Sequence, residues 1–322
     1  MPSFGGAITT RTAYYSQTRE MQEYVSHRAI EEPPWYPNIF KEQDNDPARS
    51  SLDIGSYAEL GLMQQKNEGA YPASDQPFEL IPSHFEFATF ALMASVTLEA
   101  QTEDPLHLMG KLAPMLADSE TVTQDITANN VINQGFNPVV TLYDGQPLFS
   151  NAHLLAPVAS NSGPISRVGG TYSNYLGAVQ LTPESHNQME LLFALMLSDR
   201  QLPSHRIPIY LMCHPNLNKV AREVVGSPNA PNSSDNRTNT EFQQTKVLLN
   251  RYLTNQTAWY LVADMSGSKD YGLITSTKFR NSVEVWRDPA TRSWNISNMY
   301  RWTYGAKDWR SIAASSGAGP IP

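Results

Sequence analysis

The ten residues Asp144–His153, "DGQPLFSNAH", decide how the chain is read. They hold an acid, a serine and a histidine, the side chains of a nucleophilic hydrolase. They also open on Asp-Gly, the dipeptide of tight hairpins, between the runs "NPVVTLY" and "QPLFSNAH". The first reading makes an enzyme with Ser150 as nucleophile and His153 as base. The second makes a packed turn with positive φ at both central positions. Residues three apart on a strand face opposite sides, so Ser150 and His153 would diverge, whereas a nucleophile and its base must be within hydrogen-bond reach. No Gly-X-Ser-X-Gly elbow occurs in the chain. The structural reading is preferred: Asp144 and Gly145 turn, Leu148 and Phe149 pack, and Ser150 and His153 bond locally.

Upstream lies the clearest helical pattern. The spacing predicts a helix over about 114–134, with Pro114 in its first turn and Met115, Val122, Ile126 and Ile132 as a broken apolar stripe. Gly135 ends it, and a short separate helix falls near 105–110. Asp118, Glu120 and Asp125 read as a solvated face rather than a catalytic pair. "SVTLEAQ", residues 95–101, alternates as a strand does. Further back, 51–82 is broken by six Gly and Pro residues and reads as a projecting hairpin rather than a loop. Residues 1–50, with "EEPPWYPNIFKEQDNDPARS", read as an extended arm whose Trp35, Tyr36 and Phe40 dock on something.

Downstream, "NSGPISRVGGTYSN" is a glycine-rich loop without the Gly-Lys-Ser/Thr of a phosphate-binding P-loop. Thr182 and Pro183 start a helix carrying Met189, Leu192 and Met196. "IPIYLMC" is a buried strand, and Asn216 caps a helix that Gly226 stops. This alternation marks a mixed α/β lobe. Residues 227–240 form a mobile polar loop. "KVLLNRYL" and "AWYLVADM" are strands, the second buried on both faces. "GLITSTKF", "VEVWRD" and "SWNISNMYRW" suggest an antiparallel meander with a turn at Asp288-Pro289. The closing "SSGAGPIP" is expected to be disordered.

Composition narrows the function classes. The 322 residues can bury a large core, yet only 17% are charged, against roughly 25% in ordinary soluble domains. A surface rich in neutral polar groups suits contact with other protein. The net charge of −8 disfavours wrapping nucleic acid. Residues 269–310 are locally basic, with eight Lys or Arg against four Asp or Glu, and read as a solvated strand face. A single cysteine, Cys213 in an apolar run, excludes an internal disulfide and a cysteine-rich zinc site. "MPSFGGAITTRTAYY" lacks the apolar region of a signal peptide. The longest nearly apolar stretch, 87–96, falls short of the roughly 20 residues of a membrane span. A reducing cytoplasm is therefore expected at synthesis. The seven histidines are scattered with no metal-ligand spacing, and no dinucleotide fingerprint follows a strand. "RWTYGAKDWR" mixes cations and aromatics but reads as core and rim rather than a nucleic-acid surface. No cofactor, metal or catalytic residue is assigned.

At "DGQPLFSNAH" the chain resembles the Asp-Gly-X-X-Leu-Phe-Ser-X-X-His stretch of tailed-bacteriophage major capsid proteins, in the Mu-like major head subunit family. "VTLEAQTEDPLHLMGKLAPML" resembles the approach to that family's spine helix. "GGTYSNYL" and "AVQLTPESHNQMELLFALM" resemble its next loop and helix. "YLTNQTAWYLVAD" carries Tyr252, Trp259 and Asp264 of a second motif, and "YRWTYGAKDWRSIAAS" carries Gly305, Trp309 and Arg310 of the closing strand. The resemblance runs in order over about 95–314, while the first 90 residues match by layout only.

The resemblance implies an α+β Hong Kong 97-type phage capsid fold. It would divide into an N-terminal arm (1–50), an E-loop (51–85), a P-domain (86–165) with the spine helix near 114–134, an A-domain (166–275), and a return to the P-domain with a flexible tail (276–322). It implies a homo-oligomer of pentamers and hexamers in an icosahedral or prolate shell, enclosing DNA without sequence-specific binding and without a membrane. Expected partners are a separate scaffolding protein, a portal and a decoration protein. The expected location is the virion, after assembly in the host bacterial cytoplasm. No Lys–Asn cross-linking pair carries over. Deleting 1–40 is expected to block shell formation while the core still folds. The alternatives are an encapsulin-like compartment and, from another class, a hydrolase using Ser150 and His153.

Overall fold

The computed structural model describes residues 34–46, 48–55, 57, 60–77, 79, 82–102, 108–154, 171–199, 202–203, 206–229, 238–263 and 272–317. Two four-stranded sheets organise these residues. The first runs in the order β1 (Lys41–Glu42), β10 (Leu273–Arg287), β11 (Trp294–Ala306), β4 (Ala88–Val96); β1 is parallel to β10 and the other pairs are antiparallel. The second runs β12 (Ile312–Ser315), β9 (Trp259–Ala263), β7 (Pro208–Cys213), β8 (Lys246–Leu249), with only β7 and β8 parallel. β12 thus leaves the sheet of β11 and joins that of β7 to β9.

β9 is the reason for the second sheet. Its five residues, WYLVA, are all buried, as a strand covered on both faces requires. The core around it includes Leu211, Met212, Phe193, Met189, Trp309 and Ile312. Helix α3 (Pro183–Ala194) and helix α4 (Asn218–Gly226) pack beside it. α3 begins as expected: Thr182 and Ser185 form a reciprocal capping box ahead of Pro183. α4 begins later than expected. Asn216 sits within a 3-10 turn at Pro215–Leu217 capped by His214, whose side chain accepts from the Asn216 N–H, and α4 itself starts after Leu217 without a side-chain cap. Cys213 is fully buried, and burial pushes its thiol up to about 12.

The long helix differs from expectation in three ways. Helix α2 spans Leu108–Asn133, so Pro114 lies inside it and no break follows Gly110; residues 105–107 of the expected short helix lie outside the described residues. A proline there forfeits one bond to the carbonyl four residues back, a loss the remaining 26-residue ladder tolerates. The expected apolar stripe also faces outward: Met115, Val122 and Ile126 are exposed, and only Ile132 is buried. The buried face is made instead of Ala113, Leu116, Ala117, Asp125, Ala128, Asn129 and Ile132. Small side chains let the helix lie close on the first sheet, where Ala113, Leu116 and Ala117 meet Val283 and Ile296. Asp125 therefore does not belong to a solvated face, and Glu120 accepts from Asn298 Nδ2 at 2.7 Å.

"SVTLEAQ" is not a strand. β4 ends at Val96, and helix α1 (Leu98–Thr102) follows, with Thr97 Oγ1 accepting the Ala100 N–H. The alternation of Val96, Leu98 and Ala100 is too short to separate the two periods. The expected three-stranded meander is a two-stranded hairpin. "GLITSTKF" and "VEVWRD" fall within one strand, β10, whose register shifts at Thr277/Phe279 and Phe279/Ser282 absorb the polar interruption. The turn sits at Asp288-Pro289 as expected, with Asp288 N donating to Ser293 O.

The arm docks through the aromatics the sequence singled out. Ile39 and Phe40 are buried, and Tyr36 and Phe40 meet Tyr304 edge-on at 5.2 and 5.6 Å. The Trp35 and Tyr36 N–H groups donate to Asp125 Oδ1 at 2.7 and 3.2 Å. Ile39 and Phe40, the last residues of the 1–40 segment, thus belong to the core cluster. β2 (Ser51–Ile54) and β3 (Ser83–Glu86) pair as the base of the hairpin, and a bridge joins Tyr57 to Glu79 further out. Ser315, Ser316 and Gly317 are ordered rather than part of a loose tail; the remainder of that segment, and most of the 227–240 loop, lie outside the described residues. No helix among the described residues is long and apolar enough to cross a membrane.

Candidate functional site

Asp144-Gly145 does turn the chain, but not as a two-residue hairpin. The Gly145 N–H donates to Leu142 O at 3.0 Å and the Leu142 N–H to Gln146 O at 2.8 Å. Gly145 has φ +76° and Asp144 is not at positive φ, the pattern of a type I turn closed by a glycine bulge. The flanking runs are not strands: a single bridge, Thr141 to Pro147, joins them. β5 (His153–Leu154) instead pairs with β6 (Thr171–Tyr172).

This turn aims the Asp144 carboxylate inward. Oδ1 accepts the Gln146 N–H at 3.1 Å, and Oδ2 lies 2.6 Å from His153 Nδ1, both side chains having no solvent exposure. His153 Nε2 lies 3.1 Å from Asn174 Oδ1, which also accepts the Ser150 N–H at 3.0 Å. The Asn174 amide is oriented by its Nδ2, which faces the carbonyls of Leu148, Trp309 and Ile312 at 2.7, 3.2 and 3.0 Å. The Asn174 oxygen thus faces Nε2, and Nδ1 is paired with the Asp144 carboxylate.

Beside Trp309 stands Arg310, fully buried. Its Nη2 donates to Asp199 Oδ1 at 2.9 Å, Nη1 to Asp308 Oδ2 at 2.8 Å, and Nε to Leu197 O at 3.0 Å. Burial alone would lower its pKa, but Asp308, Tyr143 and Asp199 hold it well above the usual value. The His153 ring stacks on Trp309 at 4.4 Å and the Arg310 guanidinium lies 4.7 Å from the same ring. The expectation of a solvated basic face thus fails for Arg310, and for the buried Lys307.

Asp144, His153, Trp309 and Arg310 are brought together. Ser150 Oγ donates to Gln146 Oε1 at 3.2 Å and accepts the Ala152 N–H at 3.1 Å. Both nitrogens of His153 are committed elsewhere, so no nucleophile–base pair forms. Leu148 and Phe149 are core residues, with Phe149 5.4 Å from Tyr260. A Cβ on Gly135 would lie 2.5 Å from the Phe149 ring, so that glycine is needed for close approach rather than for a left-handed cap. Gly305 plays the same part for Phe85, whose ring a Cβ would strike at 2.0 Å. Trp259 is buried and donates to Val179 O at 2.9 Å; Tyr252 O accepts from Asn133 Nδ2 at 3.0 Å. Asp264 lies outside the described residues. Asn174, the centre of the hub, had no signal in the sequence, since an asparagine in a loop is ordinarily a turn residue.

The outer surface carries the second feature. On the projecting hairpin Leu62, Met63 and Tyr71 are exposed to 81%, 102% and 96%. Met115, Val122 and Ile126 of α2 and Leu92 and Met93 of the β4 edge are exposed too. Exposed apolar groups on so many elements mark surfaces meant to be covered.

A family model described as phage capsid protein matches residues 81–315. Comparison with curated proteins returns no match. Among solved structures, a chain of Microbacterium phage Oxtober96 is similar at 12% identity and TM-score 0.51, covering 89% of this chain and 88% of that one. The capsid of a native GTA particle is similar at 10% identity and TM-score 0.55, covering 88% and 90%. The procapsid of bacteriophage JBD30 is similar at 12% identity and TM-score 0.51, covering 98% and 77%. At these identities the likeness is one of fold.

Proposed function

The chain belongs to the phage capsid protein family, and on that premise we propose that it is the major capsid protein of a tailed phage, building the shell around the genomic DNA. The fold is the Hong Kong 97-type capsid fold, α+β with an arm, a projecting loop and a long helix. Its copies close into pentamers and hexamers in an icosahedral or prolate shell, since head-to-tail contacts between identical chains form closed rings. The observation that carries this reading is the family match over 81–315.

In this reading 1–50 is the arm, 51–85 the E-loop, 86–165 the P-domain, 166–275 the A-domain and 276–322 the return. The E-loop and the outer face of α2 meet neighbouring copies, which the exposure of Leu62, Met63, Met115 and Val122 supports. A separate scaffolding protein, a portal and a decoration protein complete the particle, which assembles in the host cytoplasm and remains in the virion. The chain does no catalysis; Asp144, His153, Trp309 and Arg310 hold the subunit rigid. The net charge of −8 suits a container that does not adhere to its DNA.

The test is to express the chain with and without its scaffold and image the size-exclusion fractions by negative-stain electron microscopy. Shells, rings or tubes are expected. A monomer at every concentration, with scaffold present, overturns the reading. Hydrolysis lost in Ser150→Ala with shells intact would favour an enzyme instead.

A further inference from the structure

The sequence gives His186, Glu190 and Glu241 no metal-ligand spacing, yet the fold converges them. His186 and Glu190 stand one turn apart on α3 and share a face. Glu241 arrives from the segment after α4. The His186 Nδ1 atom lies 2.7 Å from Glu241 Oε2 and 3.8 Å from Glu190 Oε1, and one ligand atom from each of the three lies within 4.8 Å of the others.

We propose that His186, Glu190 and Glu241 bind a divalent transition-metal ion, zinc foremost, that ties α3 to the segment following α4.

Four observations carry this. The donor set of one imidazole nitrogen and two carboxylate oxygens is one that zinc accepts, leaving a fourth position for water. The spacings of 2.7 and 3.8 Å bracket the roughly 3.4 Å between ligands of a tetrahedral zinc with bonds of about 2.1 Å, and the third pair lies within 4.8 Å. The ligands are also positioned before any ion arrives. Thr245 Oγ1, 3.1 Å from His186 Nε2, turns the Nδ1 edge toward the carboxylates. Asn239 accepts the Glu241 N–H at 3.0 Å and donates to Val224 O and Ser227 O at 2.6 and 2.8 Å, fixing the arriving segment.

The charge balance also favours a cation. Two carboxylates face one imidazole with His186 and Glu241 buried. A divalent ion relieves the repulsion between the two carboxylates directly. Glu190, with a quarter of its side chain exposed, gives the entry path.

A proton on His186, pairing it with Glu241 alone, is the competing occupant. To separate the two, the full-length chain is stripped with chelator, dialysed against zinc sulfate, and assayed for bound zinc per chain. One zinc per chain is expected, with affinity at least tenfold weaker in Glu190→Gln and unchanged in His84→Asn, an exposed histidine elsewhere. Because His186→Asn can disturb folding, the partly exposed Glu190→Gln carries the test. Cobalt(II) loading adds a spectroscopic readout, its visible bands reporting nitrogen–oxygen ligation and fading in the same variant. No bound zinc in the parent chain, or parental affinity in Glu190→Gln, overturns the site and leaves the proton. The inference concerns one chain and stands apart from the shell reading.

Discussion

His153 lies flat on Trp309, their rings 6° from parallel with centroids 4.4 Å apart, so the turn at residue 144 is joined to the 3-10 turn before β12. The stack depends on the Asp144 carboxylate, which holds the histidine from behind. Both partners of that pair are out of water, and breaking one of them leaves the other without compensation.

His153→Ala is expected to cost about 3–5 kcal/mol, the range for removing one partner of a buried charge pair. Asp144→Asn keeps an acceptor for Nδ1–H and is expected to cost less. Urea unfolding midpoints of the two variants check this. A loss under about 1 kcal/mol in His153→Ala would mean that the pair is dispensable.

Gly135→Ala places a methyl 2.5 Å from the Phe149 ring. Overpacking of this kind costs roughly 1–3 kcal/mol. Adding Phe149→Leu, which removes the obstructing ring, should recover part of the loss, and a double-mutant cycle measures the coupling. Strictly additive effects would show that the two residues do not meet.

Asp125 is the latch for the arm, and burial raises its carboxyl above 3.8 despite the Trp35 and Tyr36 N–H donors. The folded state then binds the proton more tightly than the unfolded one. Its contribution to stability is present below 3.8 and is lost as pH rises through the raised value. Asp125→Asn keeps a carbonyl acceptor and does not titrate, so it should match or exceed the parent at neutral pH, with the gap closing on acidification. Urea midpoints from pH 4 to 7 measure this; a gap independent of pH would refute it.

Leu62→Asp with Met63→Asp alters only exposed hairpin residues. Stability of the isolated chain should change by about 0.5 kcal/mol or less. Assembly should fail, because charge replaces the apolar contact. Normal particles from this variant, seen by electron microscopy, would remove the hairpin from the interface.

The sequence by itself determined the parts that depend on local chemistry. The Thr182 cap, the Gly145 turn, the Asp288-Pro289 turn and the all-buried β9 each follow from a backbone preference or an unbroken apolar run. The docking of Trp35, Tyr36 and Phe40 was legible because prolines and aromatics together exclude both a helix and a free tail. The orientation of α2 was not legible. Met115, Val122 and Ile126 have the period of a core stripe, and only the tertiary structure turned them outward, since small side chains at Ala113, Ala117 and Ala128 allow closer approach to the sheet. The hub around Asn174 and the His186–Glu190–Glu241 convergence were likewise decided by the fold, because their members lie up to 138 and 55 residues apart and no local preference couples them.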